Sequence, residues 1–277
     1  MFKKIHCENC SYAYDELDKV CPKCGTKNPF VPHRKFGGNA LIVPFWMQIV
    51  LFFVGWLGFQ ALGLILGLFV KVLTLEEVQK TAILTFVTYA LLGGILIAIQ
   101  ATQLKKYAHA SKNWMAPLLG LAGFGAIMMF NFSYNIFLTI TGLAVENNAN
   151  EETVESIITV YPLLSVLIIG LIGPLCEEIT YRVGLYGFFR RINKYLAYAI
   201  TILVFAFIHF DFTCFTAGWA TIQNELLNLP YYMAAAFVFT FLFEKVGIMG
   251  SFAAHATNNL FSILVTLVTS NMIVKLL

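Results

Sequence analysis

Six polar residues interrupt stretches that are otherwise apolar: Glu177, Glu178 and Arg182, then His209, then His255 with Asn259. A charge near the centre of a bilayer costs about 2.5–3.5 kcal/mol on insertion scales, so ionisable groups in such places point to a functional site. Glu178 and Arg182 stand at i and i+4, one helical turn apart, and read as an ion pair that offsets the cost of both charges. Glu177 then falls on a different face and is left free to ionise or take up a proton. His255 and Asn259 share the i, i+4 spacing and can address one point, with Asn258 the less favoured substitute. A carboxylate and a histidine able to share one water suit general-base hydrolysis, and a second histidine with an amide suits donation to an oxyanion. The same Glu177, His209 and His255 could instead hold Zn²⁺ with a position open for water. Both chemistries are open at this point.

The elements that must position these groups are hydrophobic helices. Of the 277 residues, 59% are hydrophobic and 12% charged, with a mean hydropathy of +0.76, more apolar surface than a water-soluble domain can use. Seven runs reach or approach the roughly 20 residues that span a hydrocarbon core: Phe45 to Val70, Thr81 to Ile99, Trp114 to Leu143, Tyr161 to Leu175, Leu196 to Phe210, Leu229 to Phe243 and Ile248 to Val274. An eighth could lie between Asp211 and Asn228, where Phe212 to Ile222 is apolar but short, and that segment could equally be re-entrant or interfacial. The expectation is an all-α polytopic membrane protein with about seven to eight transmembrane helices. No cleavable signal peptide is expected ahead of them, because the chain opens on Met1-Phe2-Lys3-Lys4 and a polar stretch.

Basic residues cluster before Phe45 (Lys3, Lys4, Lys19, Lys23, Lys27, Arg34, Lys35), at Lys105, Lys106 and Lys112, and at Arg190, Arg191 and Lys194. By the positive-inside rule these regions, and so the N-terminus, are cytoplasmic. The net charge of +3 then reflects topology, and no basic helix or aromatic-studded basic patch suggests nucleic acid. At 1.5 Å of rise per residue, Glu177 lies about 20 Å from Arg190, His209 about 22 Å from Lys194, and His255 and Asn259 about 15 and 21 Å from Lys245. Three segments therefore deliver polar groups to nearly one depth. Gly173-Pro174 is expected to break or restart a helix, which would put Glu177 and Glu178 near a helix N-terminus, where backbone N–H groups favour negative charge.

Cys7, Cys10, Cys21 and Cys24 form two C-x-x-C pairs suited to tetrahedral Zn²⁺, and their cytoplasmic placement argues against disulfides. They predict a small zinc ribbon over residues 1–30, with His6 an alternate ligand. Residues 31–39 read as a linker and residues 40–277 as the membrane domain. Cys176 and Cys214 read as small buried hydrophobes and Phe205 as a packing residue. Asp211 reads as interfacial; His33 and His109 fall outside the hydrophobic spans.

Glu177-Glu178-x-x-x-Arg182, Phe205-x-x-x-His209 and His255-x-x-x-Asn259, in that order, resemble the three motifs of the CPBP family of intramembrane proteases, which includes the CAAX prenyl endopeptidases and the bacterial Abi proteins. The resemblance covers about residues 161–274. It implies a helical bundle enclosing a cavity, with Glu177 and His209 activating water, His255 and Asn259 stabilising the oxyanion, and Glu178 and Arg182 supporting the site. It favours a glutamate-dependent, metal-free mechanism. The expected partners are a membrane-associated peptide or protein substrate, the lipid bilayer, and a protein contact for the ribbon. A zinc ribbon fused to such a core looks bacterial. The competing readings are a non-catalytic membrane scaffold or bacteriocin-immunity protein, and an ion-coupled transporter, which would also use intramembrane Glu and His.

Overall fold

The computed structural model describes residues 4–15, 18, 20–28, 43–104, 107, 113–143 and 145–270. The chain divides into two compact units, Met1–Gly37 and Gly38–Leu277. The expected linker at 31–39, the basic residues Lys3, Lys19, Arg34, Lys35, Lys105, Lys106 and Lys112, and the histidines His33 and His109 lie outside the described residues.

The first unit is a hairpin with two cysteine turns. Strands β1 (Lys4–His6) and β2 (Ala13–Asp15) pair antiparallel, with Ile5 opposite Tyr14, and an isolated bridge joins Val20 to Lys27. The two turns repeat one pattern. Ser11 N–H reaches the Cys7 carbonyl and Gly25 N–H the Cys21 carbonyl, at 2.8 and 2.9 Å, and both Ser11 and Gly25 adopt a positive φ, 52° and 73°. Glycine takes that conformation without the steric cost a side chain brings, so residue 25 suits its position and Ser11 is the strained counterpart.

The second unit is helical throughout its regular structure. In chain order it comprises α1 (Phe45–Val70), α2 (Glu77–Ile99), α3 (Met115–Thr141), the short polar α4 (Ala149–Val160), α5 (Pro162–Arg190), α6 (Lys194–Phe207), α7 (Trp219–Val246) and α8 (Ile248–Thr269). Among the described residues, six of these (α1, α2, α3, α5, α7 and α8) are long and apolar enough to cross a membrane, and α6 is a shorter apolar helix. Their outward faces are studded with large apolar side chains such as Leu64, Met129, Ile140 and Leu163, which suits hydrocarbon and not water. The protein is a multi-pass, nearly all-α membrane protein.

The expected eighth span is not a separate helix. A four-residue turn of helix, Cys214–Ala217, ends at Gly218, and the rest of that apolar stretch is the first part of α7. The fifth run ends earlier than expected: α6 starts where the Asn193 side chain accepts from the Tyr195 and Leu196 N–H groups and ends at Phe207, so His209 sits in a turn.

The most apolar window of α5 is 56% buried, against 11–39% in the other five long helices, so α5 is the central helix. It also carries Glu177, Glu178 and Arg182. Gly173-Pro174 neither breaks nor restarts this helix, which runs from 162 to 190 through two π-helical stretches, Ile168–Ile172 and Glu178–Tyr186. The expected helix N-terminus at Glu177 is therefore absent. Proline is accommodated because the preceding turns widen: Gly173 N–H bonds the Ile168 carbonyl, five residues back. The next acceptor in that register is the Ile169 carbonyl, and residue 174 has no N–H to give it. Asn259 of α8 supplies the missing donor, its Nδ2 lying 3.1 Å from the Ile169 oxygen.

A buried carboxylate that the sequence analysis did not single out ties down one end of the bundle. Glu244 of α7 is 1% exposed, accepts from the Tyr186 hydroxyl at 2.7 Å and takes a two-pronged contact from Arg190, with Nη2 at 2.9 Å. Arg191 donates to the Gln48 side chain at 2.6 Å and to the Val43 carbonyl at 2.9 Å. The basic cluster at 190–194 is therefore also a helix-to-helix clamp, formed by the planar, multi-donor geometry of guanidinium groups.

Candidate active site

Glu177, His209, His255 and Asn259 line one cavity of about 430 Å³, together with Asn258, Phe205, Tyr89 and Tyr232. The four expected site residues that face this space come from three elements: α5, the turn after α6, and α8. Glu178 and Arg182 do not face it. Both are fully buried behind the cavity wall, with Arg182 Nη1 3.1 Å from Glu178 Oε1.

That pair is part of a larger group. Glu178 accepts a hydrogen bond from the Ser251 hydroxyl and one from His255 Nδ1, the latter at 2.8 Å. Among the described residues Arg182 has no well-aligned hydrogen bond from its guanidinium nitrogens, so its contact with Glu178 is a charge pairing. Two rings complete its surroundings, Phe205 at 4.3 Å and Phe239 at 5.2 Å from the guanidinium carbon. Cation–π attraction of this kind strengthens when the cation is desolvated. Phe205 is thus more than filler: its ring underlies Arg182, and its carbonyl accepts from His209 Nδ1 at 2.8 Å.

The two histidines are set apart by what their Nδ1 atoms touch. A backbone carbonyl only accepts, so His209 carries its proton on Nδ1 when neutral and leaves Nε2 with a lone pair. The His209 ring is held flat against Tyr232, centroids 4.4 Å apart and 17° between planes. His255 Nδ1 instead donates to a carboxylate, an arrangement that orients the ring. Its ring stacks on Phe239 at 4.4 Å, and its Nε2 points to Glu177 Oε2 at 3.7 Å. Glu177 has one oxygen occupied, Oε1 accepting from the Tyr89 hydroxyl at 3.0 Å. Its Oε2 is buried and has no hydrogen-bond donor among the described residues. Asn259 spends one Nδ2 proton on the Ile169 carbonyl and keeps the other.

Sequence reasoning missed Tyr89, Ser251, Tyr232 and Phe239. Ser251 was legible, since Ser251, His255 and Asn259 form one stripe at four-residue spacing along α8. Tyr89 belongs to α2, 88 residues from its partner, and no local pattern marks it. Asp211 caps its own turn: its carboxylate accepts from the Thr213 hydroxyl and N–H at 2.6 and 2.9 Å, which hold its pKa below the usual aspartate value. Cys176 and Cys214 are both buried.

The cysteine cluster of the first unit is a second candidate centre. The Sγ atoms of Cys7, Cys10, Cys21 and Cys24 all lie within 4.8 Å of one another, with Cys7 to Cys24 at 3.5 Å and Cys10 to Cys21 at 3.6 Å. A zinc tetrahedron with Zn–S bonds of 2.3 Å has sulfur–sulfur edges of roughly 3.8 Å, so these four donors fit that ion. His6 is not part of the group, and among the described residues Glu177, His209 and His255 do not form one. The Thr26 hydroxyl and N–H lower the Cys24 thiol to about 6, towards the thiolate a metal takes. Metal analysis of the purified chain is expected to give one zinc per molecule and none after Cys21→Ser with Cys24→Ser. Full zinc content in that double variant would contradict the assignment.

Residues 159–261 match the family described as type II CAAX prenyl endopeptidase Rce1-like, a segment that contains all six residues from Glu177 to Asn259 and somewhat more than a third of the chain. The chain is 27% identical over 173 residues to the UPF0177 protein YxdF of Lactococcus lactis subsp. lactis (strain IL1403), covering 60% of this chain and 88% of that protein. It is 31% identical over 109 residues to the UPF0177 protein YbdI of the same strain, covering 37% of this chain and 58% of that one. No solved structure matches.

Proposed function

We propose that the chain, whose residues 159–261 match the Rce1-like CAAX prenyl endopeptidase family, is an endopeptidase hydrolysing a peptide bond of a membrane-associated peptide or protein. The observation that carries this reading is Glu177 Oε2. It is a buried carboxylate oxygen with no hydrogen-bond donor among the described residues, in the wall of a cavity that His209, His255 and Asn259 also line.

In this reading Glu177 takes one proton from a water, whose other hydrogen is held by the His209 Nε2 lone pair, as the water oxygen bonds to the scissile carbonyl carbon. The carbonyl becomes an oxyanion, and the Nε2 proton of a doubly protonated His255 and the remaining Asn259 Nδ2 proton are its donors. The proton held at Glu177 passes to the leaving nitrogen as the C–N bond breaks. Glu178 orients His255, and Arg182 balances Glu178, so both act through another residue. The cavity of about 430 Å³ has room for an extended segment of a few residues and not for a folded domain. The N-terminus is assigned to the cytoplasm by its basic residues, and the ribbon holds a structural zinc and offers a protein contact.

The metal-free form of the mechanism is favoured because the ligand atoms of Glu177, His209 and His255 do not converge as the four cysteines do. Cleavage by the full chain in lipid vesicles is expected to survive strong chelators and to be lost in His209→Ala. Loss of cleavage under chelation, restored by Zn²⁺ in a chain lacking the ribbon cysteines, would move the assignment to a zinc hydrolase.

A further inference from the structure

We propose that Tyr89 is a positioning residue for the base of this reaction, fixing Glu177 from a helix outside the matched segment; the proposal rests on the reading of Glu177 given above. Tyr89 lies on α2, and the family match begins only at residue 159. Its hydroxyl donates to Glu177 Oε1 at 3.0 Å, and its side chain lines the same cavity. A glutamate carboxylate, at the end of about three rotatable bonds, has no fixed direction of its own. With Oε1 tied to α2, the plane of the carboxylate is set, and Oε2 is the oxygen left to face His255 Nε2 at 3.7 Å.

The surroundings of Tyr89 set its depth as firmly as its distance. One turn later on α2, a Cβ added at Gly93 would lie 3.3 Å from both Cys176 Sγ and Ile172 Cγ2, so a hydrogen at residue 93 lets α2 approach α5 closely. Cys176, the residue before Glu177, directs its Sγ to the Tyr89 carbonyl at 3.7 Å. The Phe59 ring of α1 packs on the other side, centroids 5.1 Å apart. The Tyr89 backbone is thus referenced to the residue adjoining the base, and the hydroxyl is referenced to the base itself. A tyrosine kept only for packing needs none of this: its ring would serve as phenylalanine, and burying a hydroxyl costs free energy unless a partner is supplied. Here the partner is the carboxylate that the reaction uses, and a hydrogen bond to a charged group is among the stronger ones.

The test uses the full chain in lipid vesicles and a synthetic peptide spanning a cleavage site read from wild-type membranes. Tyr89→Phe is expected to lower kcat between about tenfold and a hundredfold, the size of one hydrogen bond to a charged group, with KM within twofold and an unchanged thermal midpoint. Tyr89→Ala, which also removes the ring, is expected to lower the thermal midpoint as well and so reports the packing share separately. A Tyr89→Phe chain with kcat within twofold of wild type overturns the proposal, as does a loss confined to KM or accompanied by an equal loss of stability. If wild type cleaves, Glu177→Gln does not and Tyr89→Phe matches wild type, only the positioning role fails. If Glu177→Gln cleaves as wild type does, the reading of the base fails, whatever Tyr89→Phe does.

Discussion

Glu177→Gln is expected to lower the rate of peptide cleavage by about 10²–10⁴-fold, the range that a positioned general base contributes, with no measurable loss of stability. Glutamine keeps the volume of glutamate and an oxygen for the Tyr89 hydroxyl, so the packing between α2 and α5 is preserved. What it removes is the proton-accepting oxygen that has no hydrogen-bond donor among the described residues. Cleavage rate and thermal midpoint of the same preparations check both halves. A variant that cleaves normally would show that the base lies elsewhere, and one that loses rate and stability together would show that Glu177 is structural. The distinction matters because the scaffold or immunity reading predicts a folded, binding-competent protein in which residue 177 has no kinetic role.

Arg182→Met is expected to be among the most destabilising single changes in the membrane domain, at about 3–5 kcal/mol, because it leaves a buried carboxylate without its countercharge. Arg182 and Glu178 are both 0% exposed, so water cannot take over the role of the missing partner. The rings of Phe205 and Phe239, which now stack on the cation, would face a thioether, with loss of the charge component alone. Arg182→Met combined with Glu178→Gln is expected to recover most of the stability, since replacing a buried pair outright is far less costly than breaking it. It would not recover full activity, because glutamine keeps an acceptor for His255 Nδ1 but lacks the negative charge that faces a doubly protonated His255. Thermal unfolding of the two variants beside wild type checks this. An Arg182→Met chain with a wild-type midpoint would mean that Ser251 and His255 already satisfy Glu178 fully.

The sequence made the charged part of this site legible for one reason: glutamate, arginine and histidine inside apolar stretches carry a cost that only pairing or use can offset. The i, i+4 spacings of Glu178 with Arg182 and of His255 with Asn259 then placed the residues on common faces, and counting rise per residue brought three segments to one depth. The parts that stayed hidden depend on long-range contacts. Tyr89 is one of 12 tyrosines, and nothing near it in the chain tells that its hydroxyl meets Glu177. Glu244 stands beside Lys245 at a helix end and reads as an interfacial pair, yet it is buried under Tyr186 and Arg190. Gly173-Pro174 carries a strong helix-breaking signal, which was overridden by a π-helical turn and by Asn259 reaching across from α8 to cover the carbonyl that proline cannot serve. That side-chain bond also couples the third motif to the first: the amide that would stabilise the oxyanion is anchored to the helix that carries the base.

Whether Glu177 drives hydrolysis of a peptide bond can be read from peptide termini. Membranes from cells producing the wild-type chain and from cells producing Glu177→Gln at equal abundance would be compared for new amino and carboxyl termini. Termini present with wild type and absent with Glu177→Gln are the predicted result, and they would identify the substrate and the bond cut. Identical sets of termini in the two membranes would contradict it.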